Sequence, residues 1–351
     1  MLIHTTDRLT FRRCGLKWFY TSDLGLGLEP IRPEEPLFFG SLIHEALAAY
    51  YAPSNKPSPA RDPGPMLDAW ASNAKSSRKE WEEREGRMWE AEEENFDRLV
   101  ALGQGMLEHY ATWAPSNDNF RVLWVEKAFT IPVKPRSPHR YGFKCDGLVQ
   151  DLDTGKVGIL EHKTAATIYE REEWLDFDIQ TGSYLWAINR VREKDGKKPA
   201  EFVIYNSLRK AVPNHLRVLK DGTLSADKSQ STTFKIAKDD LVAFYGTFAK
   251  ILPKYHDLLG NLKGVNNFFK RSIVTRNLGE LEYLGREIEL DVKEMTRHAR
   301  QGGENIVRSA SRMNCESCVL RIPCLNRAEG NLEGEAEILA TEFRQKEKRY
   351  A

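Results

Sequence analysis

The amino-acid sequence predicts an α/β protein: a mixed sheet flanked by helices, with a helical insertion ahead of it. Three observations carry that expectation. From residue 120 to 133, β-branched and aromatic residues alternate with polar ones, the pattern of a half-buried strand. Two further strand-like runs, 141–150 and 156–164, are joined by the tight Asp151-Leu-Asp-Thr-Gly155 connection of a hairpin. Helical periodicity brackets this meander, giving the order helix, three strands, helix, strand.

Taken from the start, Thr5 or Thr6 is positioned to cap a short helix carrying Leu9, Arg12, Arg13, Cys14, Trp18 and Phe19. Gly40 and Ser41 open a second helix, whose apolar face is Leu42, Ile43, Ala46, Leu47 and Tyr50. Residues 53–65 form a Pro/Ser/Asn/Gly loop. The insertion spans 66–113, and its charged middle, 75–98, reads as a solvated face. Beyond the meander, 170–191 reads as a helix, 201–208 as a buried strand and 238–259 as an amphipathic helix. The basic stretch 209–235, with Arg209, Lys210, His215, Arg217 and Lys220, fits a DNA-facing insertion and a solvated excursion equally. After Arg327 the sequence reads as a charged tail, helical or frayed.

Composition narrows the class. With 351 residues, 41% hydrophobic and 10% aromatic, the chain can bury a full core in one large domain with appendages. A net charge of +1 neither announces nor excludes a polyanionic partner. The first ten residues hold no signal-peptide core, and no stretch of about 18 apolar residues occurs, so a cytoplasmic, soluble protein without a membrane partner is expected.

The chemistry is concentrated around the hairpin. Glu161 and Lys163 are two apart and leave the same face of their strand, while Asp146 stands on the paired strand before it. A short turn brings Asp146 opposite Glu161, so two carboxylates and an ammonium share one patch. Those carboxylates are hard ligands for Mg2+ or Mn2+, which neutralises charge on a phosphodiester and acidifies an attacking water. Lys163 can orient that water or stabilise developing charge, and the backbone carbonyl of His162 can add a neutral oxygen. The bland alternative is an exposed cross-strand salt bridge, worth at most about 1 kcal/mol. Against it, Glu161 ends the apolar run Val157-Gly-Ile-Leu160, and charges at the end of a buried strand are typical of functional sites. Glu126, on the first strand, is a weaker candidate for a supporting role.

Five cysteines in a reducing compartment point to metal chemistry and not to disulfides. Cys315, Cys318 and Cys324 follow C-x2-C-x5-C, and Cys14 can supply a fourth thiolate. Such spacing suits a tetrahedral zinc site as well as an iron-sulfur cluster. Either would close a loop of roughly 300 residues and staple the chain ends. Cys145 is left over as a small buried residue on the face opposite Asp146.

Gly40-Ser-Leu-Ile-His44, Gly142 to Asp146, Glu161-His-Lys163 and Gln180-Thr-Gly-Ser-Tyr184 occur in this order. Together they resemble the RecB-like branch of the PD-(D/E)XK nucleases, which includes AddB-type helicase-nucleases and CRISPR-associated iron-sulfur exonucleases. The resemblance implies that His44 joins Asp146, Glu161 and the His162 carbonyl around the metal ion. It also implies that Gln180 and Tyr184, one turn apart on a helix, line the edge of the site. One early and three late cysteines resemble that branch's 4Fe-4S signature, which implies a cluster on Cys14, Cys315, Cys318 and Cys324.

The implied organisation is a cluster-binding segment (1–40), a helical region with the histidine motif (41–119), a nuclease core (120–260), a C-terminal helical region with the cysteines (261–326) and a charged tail (327–351). The implied activity is exonucleolytic, on single-stranded DNA or DNA ends, in recombination, repair or phage DNA metabolism. Trp18, Tyr20, Tyr184 and Trp186 are candidate stacking surfaces for bases, and most of them fit the core equally. No G-x4-G-K-[ST] motif is present, so any unwinding falls to a helicase or recombination partner. The competing reading is a non-catalytic DNA-binding scaffold stabilised by iron-sulfur or zinc.

Overall fold

A computed structural model describes residues 2–31, 35–53, 61–85, 88, 90–168, 172–247, 252–302 and 305–346. The chain begins with strand β1 (Leu2–His4), helices α1 (Thr5–Arg13) and α2 (Gly15–Thr21), and strand β2 (Leu28–Pro30). Neither threonine caps α1. His4 holds the cap position, its backbone N–H donates to Asp7 (2.9 Å), and the Thr5 hydroxyl is drawn to the buried Tyr141 hydroxyl instead (2.9 Å). Helix α3 (Glu35–Tyr51) starts earlier than expected and contains Gly40 and Ser41 within it. The insertion is a pair of helices, α4 (Gly64–Glu85) and α5 (Glu90–Trp113).

The expected meander is present as β3 (Phe120–Pro132), β4 (Arg140–Asp151) and β5 (Val157–Ala165), followed by α6 (Ile179–Lys194) and β6 (Ala200–Arg209). Helix α6 begins later than its periodicity suggested, because Asp178 accepts the Thr181 N–H (2.7 Å) and fixes the helix start there. A 3-10 segment, Glu172–Phe177, precedes it, and residues 170–171 of the expected helix lie outside the described residues. The expected helix 238–259 is two, α7 (Phe234–Tyr245) and α8 (His256–Leu262); Gly246, with φ 84°, ends the first. Strand β7 (Phe269–Thr275), helices α9 (Leu278–Arg300), α10 (Arg312–Cys315), α11 (Arg321–Glu329) and α12 (Leu332–Glu342), and strand β8 (Phe343–Gln345) complete the chain. The charged end is therefore folded through Gln345, with β8 pairing antiparallel to β2.

The main sheet has the order β1-β4-β5-β6-β7, with β3 on the other edge of β4. β5 and β6 run parallel, joined through α6; β6 and β7 are antiparallel. One edge of β4 is shared: Arg140–Gly142 pair with β1, and Gly147–Gln150 pair with β5. Between them, residues 143–146 face a fork that neither strand fills. Gly142 makes this possible, since the His4 ring of β1 lies 2.7 Å from where a Cβ would be.

Each sheet face carries its own core. On one, Ile3, Trp18, Tyr184, Trp186, Ile188 and Met295 pack beneath α1, α6 and α9. Trp18 and Tyr20 are fully buried, and Tyr184 and Trp186 are each 6% exposed, so none of the four offers a ring for base stacking. On the other face, α3, α4 and α5 contribute Phe39, Ile43, Leu47, Trp70 and Tyr110 against Leu160 and Ile204. The basic stretch after β6 joins a small third core through Leu216 and Leu224, which pack with α7 and α8. Its His215 and Arg217 are tied to Asp240 and Asp227.

Candidate active site

The site occupies the fork. Val125 pairs with Gly147 and Lys127 with Cys145, which sets Glu126 across from Asp146. Gly147 pairs with Leu160 as the last rung between β4 and β5, so Asp146 and Glu161 stand just where the strands part. Asp146 Oδ2 accepts the backbone N–H of His162 (2.7 Å), a side chain standing in for the missing ladder. Its Oδ1 meets His44 Nδ1 from α3 (3.1 Å). Lys163 Nζ donates to Glu161 Oε1 (2.6 Å). The other oxygen, Glu161 Oε2, is buried and has no hydrogen-bond partner among the described residues, the side chain as a whole being 2% exposed. A carboxylate oxygen left bare at such depth is costly for a protein to keep, and a cation is what would satisfy it.

Among the described residues, one group of three brings its ligand atoms within 4.8 Å of one another: His44, Glu126 and Asp146. Glu126 was the weakest sequence candidate, and its alternation pattern carried no signal for this role. The structure distinguishes it by its backbone, at φ 52°, a left-handed conformation strained for a glutamate within a strand. Lys144 pairs with it at the rim.

The electrostatics are those of a site short of positive charge. Burial, and then the nearby Asp146, push the Glu161 carboxyl up to about 7. Burial also opposes charge on Asp146, but His44 chiefly, with His162 and Lys163, holds its carboxyl well below the usual range. For His44, burial is outweighed by the facing Asp146 and its pKa rises. Lys163 is likewise raised, burial being outweighed by Glu161 and Asp146. The proton His44 shares with Asp146 stands where a divalent ion would compete, and a carboxylate pair, an imidazole and a bare oxygen are donors that Mg2+ or Mn2+ accepts.

Gln180 and Tyr184 meet as expected of residues one turn apart, the Gln180 amide donating to the Tyr184 hydroxyl (2.9 Å). Burial, with Glu161 next, pushes the Tyr184 hydroxyl well up, which keeps it protonated. Cys145 is fully buried in the core beneath α6. Trp174 and Phe177, 67% and 73% exposed on the 3-10 segment leading into α6, form an aromatic pair at the surface that sequence periodicity does not single out.

The cysteine cap is not shown. The chain ends do meet: Arg13 donates to Asn314 Oδ1 (3.2 Å) and the Met313 carbonyl (2.9 Å), and Tyr20 donates to the buried Glu335. Cys14, Cys318 and Cys324 pack around the same small apolar cluster of Leu16, Tyr20, Leu320 and Phe343. Yet no three of the described thiols form a compact ligand group, and all four cysteines of the expected set are half-buried and free. A tetrahedral zinc site, with Zn–S bonds of about 2.3 Å, needs the thiols gathered into such a group. Among the described residues no helix is long and apolar enough to cross a membrane.

A family model described as the PD-(D/E)XK nuclease superfamily matches residues 7–324. No curated protein matches the chain.

Proposed function

The chain belongs to the PD-(D/E)XK nuclease superfamily, and from that premise we propose that it is a divalent-metal-dependent deoxyribonuclease working as an exonuclease on DNA ends or single strands. The observation that carries the reading is the buried, unpartnered Glu161 Oε2 beside the converging His44, Glu126 and Asp146. His44, Asp146 and Glu161 would hold Mg2+ or Mn2+, with the His162 carbonyl and Glu126 as further oxygens. The ion supplies charge neutralisation at the phosphate and a more acidic water. Lys163, held by Glu161, stays cationic and stabilises the charge developing on the phosphate. Gln180 fixes the Tyr184 hydroxyl, and the pair lines the edge of the site, as the family resemblance implies. End preference is supported by the exposed rings of Trp174 and Phe177, which offer unpaired bases a stacking surface.

The test is cleavage of end-labelled single- and double-stranded oligonucleotides with Mg2+, Mn2+ or EDTA. Metal-dependent shortening from an end, abolished in Asp146→Ala, is expected. Internal cuts in a circular substrate would replace the exonuclease reading with an endonuclease. DNA bound but never cut under any metal condition would favour the non-catalytic scaffold.

A 4Fe-4S cluster on Cys14, Cys315, Cys318 and Cys324 is the finer reading of the chain-end junction. It is supported by the meeting of both ends around these residues and by the family resemblance, and it requires the thiols to draw together. Anaerobic purification tests it: iron and sulfide in equal amounts support the cluster, and a colourless protein with neither removes it. A helicase or recombination partner in the cytoplasm remains part of this proposal, resting on the resemblance.

A further inference from the structure

One row of residues crosses three adjacent strands behind the site. His162 of β5 is in register with Asn206 of β6, and Asn206 with Arg271 of β7. These side chains project to the face opposite Glu161 and Lys163, where α3 and α5 pack, and both His162 and Asn206 are buried. Arg271 is an internal cation: it pairs with Asp118, donates to the hydroxyls of Tyr51 (2.8 Å) and Tyr110 (3.1 Å), and lies over the ring of Trp113. Neither the metal chemistry nor the sequence motifs account for this network.

Its hydrogen bonds have a single consistent direction. A guanidinium can only donate, so Arg271 Nε against Asn206 Oδ1 (3.3 Å) fixes that atom as the amide oxygen. Asn206 Nδ2 is then the donor, and it reaches the Tyr110 hydroxyl (2.9 Å) and His162 Nδ1 (2.8 Å). His162 Nδ1 must therefore accept, which leaves the ring proton on Nε2. Tyr51 stacks on the same ring, its centroid 5.5 Å away and the planes 21° apart, so the imidazole is held in plane as well as in tautomer. The backbone N–H of this residue is the one that holds Asp146 Oδ2.

We propose that Arg271, acting through Asn206, locks the His162 ring in its Nε2-protonated form and thereby positions the His162 backbone and the Asp146 carboxylate for the metal ion. The second half rests on the nuclease reading; the first does not. Arg271 and Asn206 are positioning residues, since neither faces the fork. With Nδ1 engaged and Nε2 protonated, the His162 ring has no free lone pair, so of the two histidines at the site only His44 presents its ring to the ion.

The experiment is 15N NMR of histidine-labelled, full-length, metal-free protein, with the His162 signals identified by their loss in His162→Gln. Wild type is expected to show His162 with a bare Nδ1 and a protonated Nε2. Asn206→Asp is nearly isosteric and keeps a partner for Arg271, but replaces the donor with an acceptor. It should move the ring proton to Nδ1 and weaken Mn2+ binding, read by calorimetry without DNA, roughly 10- to 100-fold. Arg271→Lys, which keeps the charge and loses the Nε contact, should give a mixture of tautomers and serves if Asn206→Asp does not fold. A protonated Nδ1 in the wild type overturns the proposal outright. A flipped tautomer with unchanged Mn2+ affinity overturns the positioning half. A wild type that binds no Mn2+ overturns the nuclease reading, and that half with it, while the tautomer stands on its own measurement.

Discussion

The fork between β4 and β5 and the junction of the chain ends were both expected to gather metal ligands, and they differ in how far the backbone does the gathering. At the fork, Glu126 and Asp146 sit on strands whose register is set by ladder hydrogen bonds, His44 reaches them from the long helix α3, and the three candidate ligands converge within 4.8 Å of one another. At the junction, Cys14 lies in an extended break between α1 and α2, and the other three cysteines lie on short helices and turns. The ends meet there through Arg13, Tyr20 and the β2–β8 pair, yet no three of the described thiols form a compact ligand group. Regular structure pre-organises a ligand set, whereas short loops and caps leave more of that work to the ligand itself.

Substitutions should separate the two regions. The largest effect is expected for Asp146→Ala, which removes the residue tied to both His44 and the β5 backbone: cleavage of labelled DNA is lost and far-UV circular dichroism is unchanged. Lys163→Ala should lower the turnover rate by roughly 10²–10³-fold, the loss seen when one charge-stabilising donor is removed. Glu126→Gln should weaken Mn2+ binding roughly tenfold or more in calorimetry. The junction should answer in stability instead. Cys14→Ala is expected to lower the melting temperature and any iron content together, with residual cleavage retained. Tyr20→Phe, which removes the buried bond to Glu335, should cost about 1 kcal/mol in denaturant titration, because Arg327 still pairs with that carboxylate. Cleavage destroyed by Cys14→Ala but not by Asp146→Ala would reverse the contrast.

The sequence carried the meander, α6 and β6 because alternation and helical periodicity are local signals, and it carried Asp146, Glu161 and Lys163 because their spacing follows strand geometry. It did not carry β1 or β7. Leu2–His4 is too short to show alternation and is a strand only because it pairs with Arg140–Gly142. Glu126 is distinguished by a left-handed backbone and by sitting across from Asp146, neither of which a linear pattern displays. Trp18, Tyr20, Tyr184 and Trp186 fit a stacking surface and the core equally in the sequence, because aromatic content says nothing about which rings the core consumes, and the structure puts all four in the core. The cap of α1 passed from the threonines to His4 because a tertiary partner, Tyr141, engaged the hydroxyl of Thr5.

The central claim is that the acids of β4 and β5 bind one divalent cation at the fork. Crystals of the protein soaked in Mn2+ test it through the metal's anomalous scattering. A peak within coordination distance of Asp146 and Glu161, with His44 beside it, is the predicted result; a Mn2+-saturated crystal whose peaks all lie away from the fork would contradict it.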